Sequence, residues 1–178
     1  MKLILIGYRG TGKTTVARCL ARRLGWSWMD TDDEIERSAG KSIAAIFRDD
    51  GEATFRDLES DVLADWADKE QVVLATGGGA VLRERNRRAL HHGGTIVWLT
   101  ASPPTILKRI SADRTTAQRR PKLTSAGPEA EVSQTLEARS PIYRDCADLE
   151  IDTEGKTPPE IADEVLRQLG WASRQEPK

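Results

Sequence analysis

Cysteine is scarce in this sequence. There are two, Cys19 and Cys146, far apart and without the spacing of metal ligands. Neither a disulfide framework nor a cysteine-based metal site is expected, and a pair of reduced thiols in a reducing compartment is. Aromatic residues make up only 5% of the chain, although five tryptophans are many for its size. Net charge is nearly absent: charged residues form 31% of the sequence yet sum to −1, so no overall field draws nucleic acid or a membrane surface. Long apolar runs are missing as well. The opening run Leu3-Ile4-Leu5-Ile6 stops at Gly7-Tyr8-Arg9, too short for the core of a signal peptide or for a membrane span. The expected location is cytoplasmic. There is no internal repeat and no low-complexity block.

What is present is a regular alternation. The 178 residues suit one domain with a sizeable core, expected over residues 1–171, with 172–178 as a disordered tail. Leu3–Ile6, Trp26–Met29, Val72–Ala75, Thr95–Leu99 and Leu149–Ile151 read as buried strands. Between them, Val16, Ala17, Leu20, Ala21 and Leu24 recur at helical spacing. So do Phe55, Leu58, Val62, Leu63 and Trp66, and later Ile161, Val165, Leu166 and Leu169. Thr157-Pro158-Pro159-Glu160 is a capping box with proline at the first helical position. Ser102-Pro103 and Ser140-Pro141 read as helix starts of the same kind, and Thr31-Asp32-Asp33-Glu34 as a second capping box. Strands alternating with helices predict an α/β fold, a parallel sheet covered on both faces, with ligands at the carboxyl ends of the strands. Asp113–Pro128 breaks the pattern: it has no apolar period, is rich in Arg, Thr, Ala and Pro, and reads as a mobile loop.

The segment Gly7-Tyr8-Arg9-Gly10-Thr11-Gly12-Lys13-Thr14 matches G-x-x-x-x-G-K-[ST] in full, between a predicted strand and a predicted helix. Glycines let successive backbone N–H groups converge on an anion, and the helix behind them adds its positive end. Lys13 supplies a charge between the β- and γ-phosphates of ATP, and the Thr14 hydroxyl is placed to ligate Mg²⁺. Gly10, Thr11, Gly12, Lys13, Thr14 and Thr15 are therefore the expected nucleotide contacts.

Asp30-Thr31-Asp32-Asp33-Glu34 follows the second strand. Acids at a helix N-terminus are favoured by the helix dipole alone. Here, however, they end a strand beside the phosphate loop. One carboxylate there can hold a metal-bound water, and another two residues on can orient or deprotonate a hydroxyl-bearing substrate. Gly77-Gly78-Gly79 directly follows the third strand and Thr76, leaving backbone N–H groups bare to a small polar ligand, or forming a plain turn. Arg56, beside the apolar stripe of its helix, and Arg139, before Ser140-Pro141-Ile142-Tyr143, would be unremarkable alone.

Together these elements resemble the shikimate kinases. The resemblance runs in order from Lys2 to about Gly170. It rests on the phosphate loop, Asp30-Thr31-Asp32, Ile46-Phe47, Gly51-Glu52, Phe55-Arg56, the glycine triplet, Arg120-Pro121 and Arg139 with Pro141-Ile142-Tyr143. It implies transfer of the γ-phosphoryl of ATP to the 3-hydroxyl of shikimate. It also implies a three-layer α/β/α fold of the P-loop kinase type, with a five-stranded parallel sheet, a substrate-binding region over about 31–60 and a mobile lid over about 113–125. By motif position Asp30 corresponds to the residue that reaches Mg²⁺ through water, and Asp32 to the carboxylate on the shikimate hydroxyls. Arg56 and Arg139 correspond to the pair on the substrate carboxylate, Gly77, Gly78 and Gly79 to the backbone contacts, and Phe47 and Phe55 to the apolar wall.

Arg120 corresponds to the lid arginine that closes on the phosphates, with Arg114 and Arg119 as competitors because the lid departs from the common pattern. Arg109 is the expected adenine neighbour and Lys156 the adenine-side contact near Thr153–Thr157. Shikimate and ATP are the expected partners, with no nucleic acid, no membrane and a monomeric chain. Two alternatives remain open at this point: another small-molecule kinase acting on gluconate or a nucleotide, and an ATP-binding module without catalysis.

Overall fold

The structure is a computed structural model, and it describes residues 1–112 and 127–171. The expected lid, with Arg114, Arg119 and Arg120, and the expected tail at 172–178 lie outside the described residues.

Five strands form one sheet, β1 (Lys2–Ile6), β2 (Ser27–Asp30), β3 (Val72–Ala75), β4 (Gly94–Thr100) and β5 (Leu149–Asp152), all parallel in the order β2-β3-β1-β4-β5. The helices between them are α1 (Lys13–Leu24), α2 (Thr31–Ala39), α3 (Ile43–Asp49), α4 (Gly51–Asp65), α5 (Glu84–His91), α6 (Pro103–Ala112), α7 (Pro128–Cys146) and α8 (Pro158–Gln168). Alternate residues of a strand point to opposite faces. Leu3 and Leu5 therefore join Val73, Val97 and Leu99 under α1 and α8, while Ile4 and Ile6 join Leu74, Ile96 and Trp98 under α4, α5 and α7. Both faces being covered explains why β1 reads as an unbroken apolar run. The result is the expected three-layer arrangement.

Three local expectations need correction. Thr31 does not cap α2. The N-cap is Asp30, whose Oδ1 accepts the Asp32 N–H at 2.9 Å, because the Thr31 hydroxyl is already engaged by the Gly77 N–H at 2.8 Å. Asp32 and Asp33 still fall in the first turn. Ser140-Pro141 does not start a helix; Pro141 lies inside α7, and the Ser140 hydroxyl donates to the Leu136 carbonyl at 2.6 Å. Finally, Pro128 is the first residue of α7 rather than the end of a loop, with its ring in the favoured first turn. The capping box at Thr157 and the helix start after Ser102 form as expected.

Candidate active site

Strand register brings the site together. Asp30, the last residue of β2, pairs with Ala75, the last of β3, and β1 lies on the other side of β3. The phosphate loop after β1, the acids after β2 and the glycine turn after β3 thus share one end of the sheet. They open into a cleft of about 380 Å³ lined by residues 9–16 together with Asp30, Asp32, Thr76, Gly77, Gly78, Arg109, Ile110, Lys156, Pro158 and Ile161.

In the loop, Gly12 takes φ +91° as the N-cap of α1, a conformation costly to any residue with a Cβ. It turns the chain so that the start of α1 faces the cleft. Lys13 is 8% exposed, and its ammonium donates to the carbonyls of Gly7 at 2.9 Å and Tyr8 at 2.8 Å, which hold its charge over the loop.

Beside it, the Thr14 hydroxyl donates to Asp30 Oδ2 at 2.6 Å. The two are hard oxygen donors that could hold a divalent cation. Burial, and then the neighbouring Asp32, push the Asp30 carboxyl above the usual carboxylate range, against the opposing hydrogen bonds from Thr14 and the Asp32 N–H. A folded-state value above the unfolded one means that Asp30 favours the fold only at low pH, and that this contribution is lost as pH rises through the folded value. Ionised Asp30 is thus a cost to the ligand-free fold near neutrality. Asp30→Asn, which keeps the cap acceptor, is expected to raise the melting temperature of the ligand-free protein at pH 7. Thermal melts of the two proteins check this; a lower melting temperature in the variant would contradict it.

The glycine turn is buried throughout. The Gly77 N–H bond to Thr31 ties it to α2, and so to Asp32. The Gly78 carbonyl accepts from Arg139 Nη1 at 3.2 Å and from the Tyr143 hydroxyl. Tyr143 is itself held by stacking on Trp98 of β4, with ring centroids 5.7 Å apart. Gly79 faces Arg56: a Cβ there would lie 2.6 Å from Nη2 and 2.7 Å from Cζ. Arg56 is buried and held by carboxylates. It is 8% exposed, with Nη1 on Glu59 at 2.9 Å and Nη2 on Glu52 at 3.2 Å. Phe55 is fully buried and meets the half-buried Phe47 at 4.7 Å between centroids, forming an apolar wall next to that guanidinium.

At the other end of the cleft Arg109 bridges the phosphate loop and the chain after β5. Its Nη1 donates to Thr153 Oγ1 at 2.9 Å and to the Gly10 carbonyl at 3.4 Å, and its Nη2 to the Thr153 carbonyl at 2.8 Å. Lys156 is pinned nearby by Glu164 at 2.7 Å. The expected nucleotide contacts among the described residues, Gly10 to Thr15, Arg109 and Lys156, all line the cleft, as do Asp30, Asp32, Gly77 and Gly78. Arg56, Gly79, Arg139, Phe47 and Phe55 do not line it; Arg56 and Arg139 meet the glycine turn, and the two phenylalanines pack beside Arg56. Arg120 is outside the described residues. Sequence reasoning missed Glu59, Thr31 and Tyr143 as the groups that orient Arg56, Gly77 and Gly78. Glu59 left a signal: it lies on the helical face of Phe55 and Val62, where a charge is out of place.

Comparison with known proteins gives one answer. The family model described as shikimate kinase matches residues 9–170. A shikimate kinase of Rhodopirellula baltica is 46% identical over 165 residues, 93% of this chain and 88% of the relative. One of Pseudomonas putida is 44% identical, over 94% of this chain and 95% of its own length. Among solved structures, shikimate kinase from Acinetobacter baumannii in complex with shikimate is 37% identical, with a TM-score of 0.88 over 94% of this chain and 92% of that one.

Proposed function

The chain belongs to the shikimate kinase family, and on that premise we propose how its residues divide the transfer of a phosphoryl group from ATP to shikimate. Neither another small-molecule kinase nor a non-catalytic module is favoured by the family and structural matches.

Shikimate is a compact ring with one carboxylate and three hydroxyls. Its carboxylate is taken by Arg56 and Arg139, the cations beside the glycine turn. Glu52 is exposed and Glu59 fully buried, so the incoming acid replaces Glu52 on Arg56 while Glu59 keeps the guanidinium in place. A planar fork suits this exchange because it can donate two parallel hydrogen bonds. Gly77, Gly78 and Gly79 let the ring approach backbone, and Phe47 and Phe55 wall its apolar side. The 3-hydroxyl then points toward Asp32, which accepts its proton as the oxygen bonds to the γ-phosphorus and the bond to ADP breaks.

Lys13, from the loop, and Arg120, from the segment read in the sequence as a lid, offset charge on the transferring group. Arg109 and Lys156 border the adenosine end. Thr14 and Asp30 would hold Mg²⁺ through hydroxyl and carboxylate, directly or through water, and the ion would supply charge neutralisation on the β- and γ-phosphates. Among the described residues no group of three or more His, Cys, Asp or Glu could hold a metal by itself, which agrees with an ion that draws most of its ligands from the nucleotide and water.

The observation that carries this reading is the convergence of Arg56 and Arg139 on the glycine turn that Thr31 ties to Asp32. Gly79→Ala tests it structurally. The added methyl meets the Arg56 guanidinium, which Glu59 prevents from retreating. We expect about a tenfold rise in KM for shikimate, in line with overpacking penalties of about 1–3 kcal/mol, and an unchanged KM for ATP. Unchanged use of shikimate would contradict it. The reaction itself is tested by coupled ADP release with ATP and Mg²⁺, comparing shikimate with gluconate and nucleoside monophosphates. Selective stimulation by shikimate is expected, and selective stimulation by one of the others would overturn the substrate.

We further propose a cytoplasmic, monomeric enzyme with a single kinase domain over 1–171. Both cysteines are free, which suits a reducing compartment, and among the described residues no helix is long and apolar enough to cross a membrane.

A further inference from the structure

Two neighbouring residues of the phosphate loop contact the first turns of α7. Tyr8, 2% exposed, packs in a small core of its own with Ile106 of α6 and Val132 of α7. Beside it, Arg9 Nη2 donates to Glu131 Oε1 at 3.0 Å, an ion pair between residues 122 positions apart. The Glu131 side chain is 4% exposed and that of Arg9 22%. A buried pair of this kind adds little net stability over apolar residues of the same size, because desolvation offsets the attraction. What it adds is direction: one charged hydrogen bond at a defined place on the helix.

That place matters because α7 is held again farther along. Eight residues on, about 12 Å up the helix axis, Arg139 donates to the Gly78 carbonyl, and Tyr143 donates to the same oxygen. Gly78 in turn packs against the backbone of Arg9: a Cβ on it would meet the Arg9 nitrogen at 3.4 Å. Phosphate loop, glycine turn and α7 therefore close a circuit with Arg9–Glu131 at one corner and Gly78–Arg139 at another.

We infer that Glu131 and Arg9 are positioning residues for the acceptor: their ion pair fixes the axial register of α7 against the phosphate loop, and thereby places the Arg139 guanidinium on the shikimate carboxylate. The inference rests on the assignment of Arg139 to that carboxylate. Glu131 does not line the cleft, so it touches neither substrate directly and its effect on shikimate runs through Arg139. Arg9 lines the cleft as well, which makes Glu131 the cleaner residue to change.

The test is a kinetic double-mutant cycle in the full-length enzyme with Glu131→Ala, Arg139→Ala and both together. Glu131→Ala should raise KM for shikimate about tenfold, within the range of measured couplings, and leave KM for ATP within about twofold. Added to Arg139→Ala it should cost less than about twofold more, because the guanidinium it positions is gone. Glu131→Gln, which keeps the shape and one hydrogen bond, should recover most of the loss. If Glu131→Ala does not fold, the same cycle with Glu131→Gln decides, read as a rise of at least about twofold in the shikimate KM alone. An unchanged shikimate KM, equal rises for both substrates, or the full penalty persisting without Arg139 would each overturn the inference. If Arg139→Ala itself leaves the shikimate KM unchanged, the acceptor assignment is what fails.

Discussion

Asp32→Asn is expected to lower kcat by about 10²–10⁴-fold, the usual worth of a positioned general base, while ATP binding stays within about twofold. The separation follows from where the residue sits. Asp32 is in the first turn of α2, and its contribution to the local backbone is an N–H given to Asp30, which asparagine supplies equally. The phosphate loop is held by other bonds, those of Lys13 to Gly7 and Tyr8 and of Arg109 to Gly10. An amide cannot take the proton of the attacking hydroxyl, so the loss falls on chemistry. Single-turnover rates together with the Kd of a non-hydrolysable ATP analogue check this. Turnover near the unmodified rate would remove Asp32 from the reacting atoms.

The second large effect separates the two arginines proposed to share the substrate carboxylate. Arg139→Ala is expected to raise the shikimate KM by about 30-fold or more, the cost of losing one partner of a charged hydrogen-bonded pair, with little loss of stability. Its structural bond is to a carbonyl that Tyr143 also serves, and the side chain is half-buried. Arg56→Ala should weaken shikimate binding comparably but also destabilise the fold by about 3–5 kcal/mol, because it strips the cation from Glu59, whose side chain is 0% exposed. Combining it with Glu59→Gln should return much of that stability without restoring shikimate binding. Denaturant melts and shikimate titrations read the two effects independently. Equal stability of the two single variants would show that Glu59 does not need Arg56 in the fold.

Much of this was legible beforehand. β1, β3 and β4 lie where unbroken apolar runs put them, because the middle of a parallel sheet is buried on both faces and leaves no polar side to interrupt the pattern. The edge strands β2 and β5 also lie where expected, but they are not the buried strands they read as, since Trp28 and Glu150 are exposed at the sheet edges. The phosphate loop was legible because anion binding by backbone demands glycines at set intervals, and Lys13 and Thr14 come with them. Local signals failed where a distant group had a prior claim. Thr31 looks like a cap, but its hydroxyl serves Gly77, 46 residues away. Pro141 looks like a helix start because no local rule records that α7 already runs through it. The Arg9–Glu131 pair crosses 122 residues with no periodicity to announce it. Glu59 was the recoverable miss, since a charge on the Phe55–Val62 face of α4 has to have a buried partner.

Shikimate methyl ester tests the central claim most directly, because it keeps the ring and the hydroxyls and removes only the charge that the proposal assigns to Arg56 and Arg139. The measurement is kcat/KM for acid and ester in the unmodified enzyme and in Arg139→Ala. The account predicts that the unmodified enzyme prefers the acid by about a hundredfold or more, as a site with unmet buried charges should, and that the preference shrinks sharply in Arg139→Ala. An ester used as well as the acid would contradict it, and would leave the glycine turn and its two arginines without the role assigned to them.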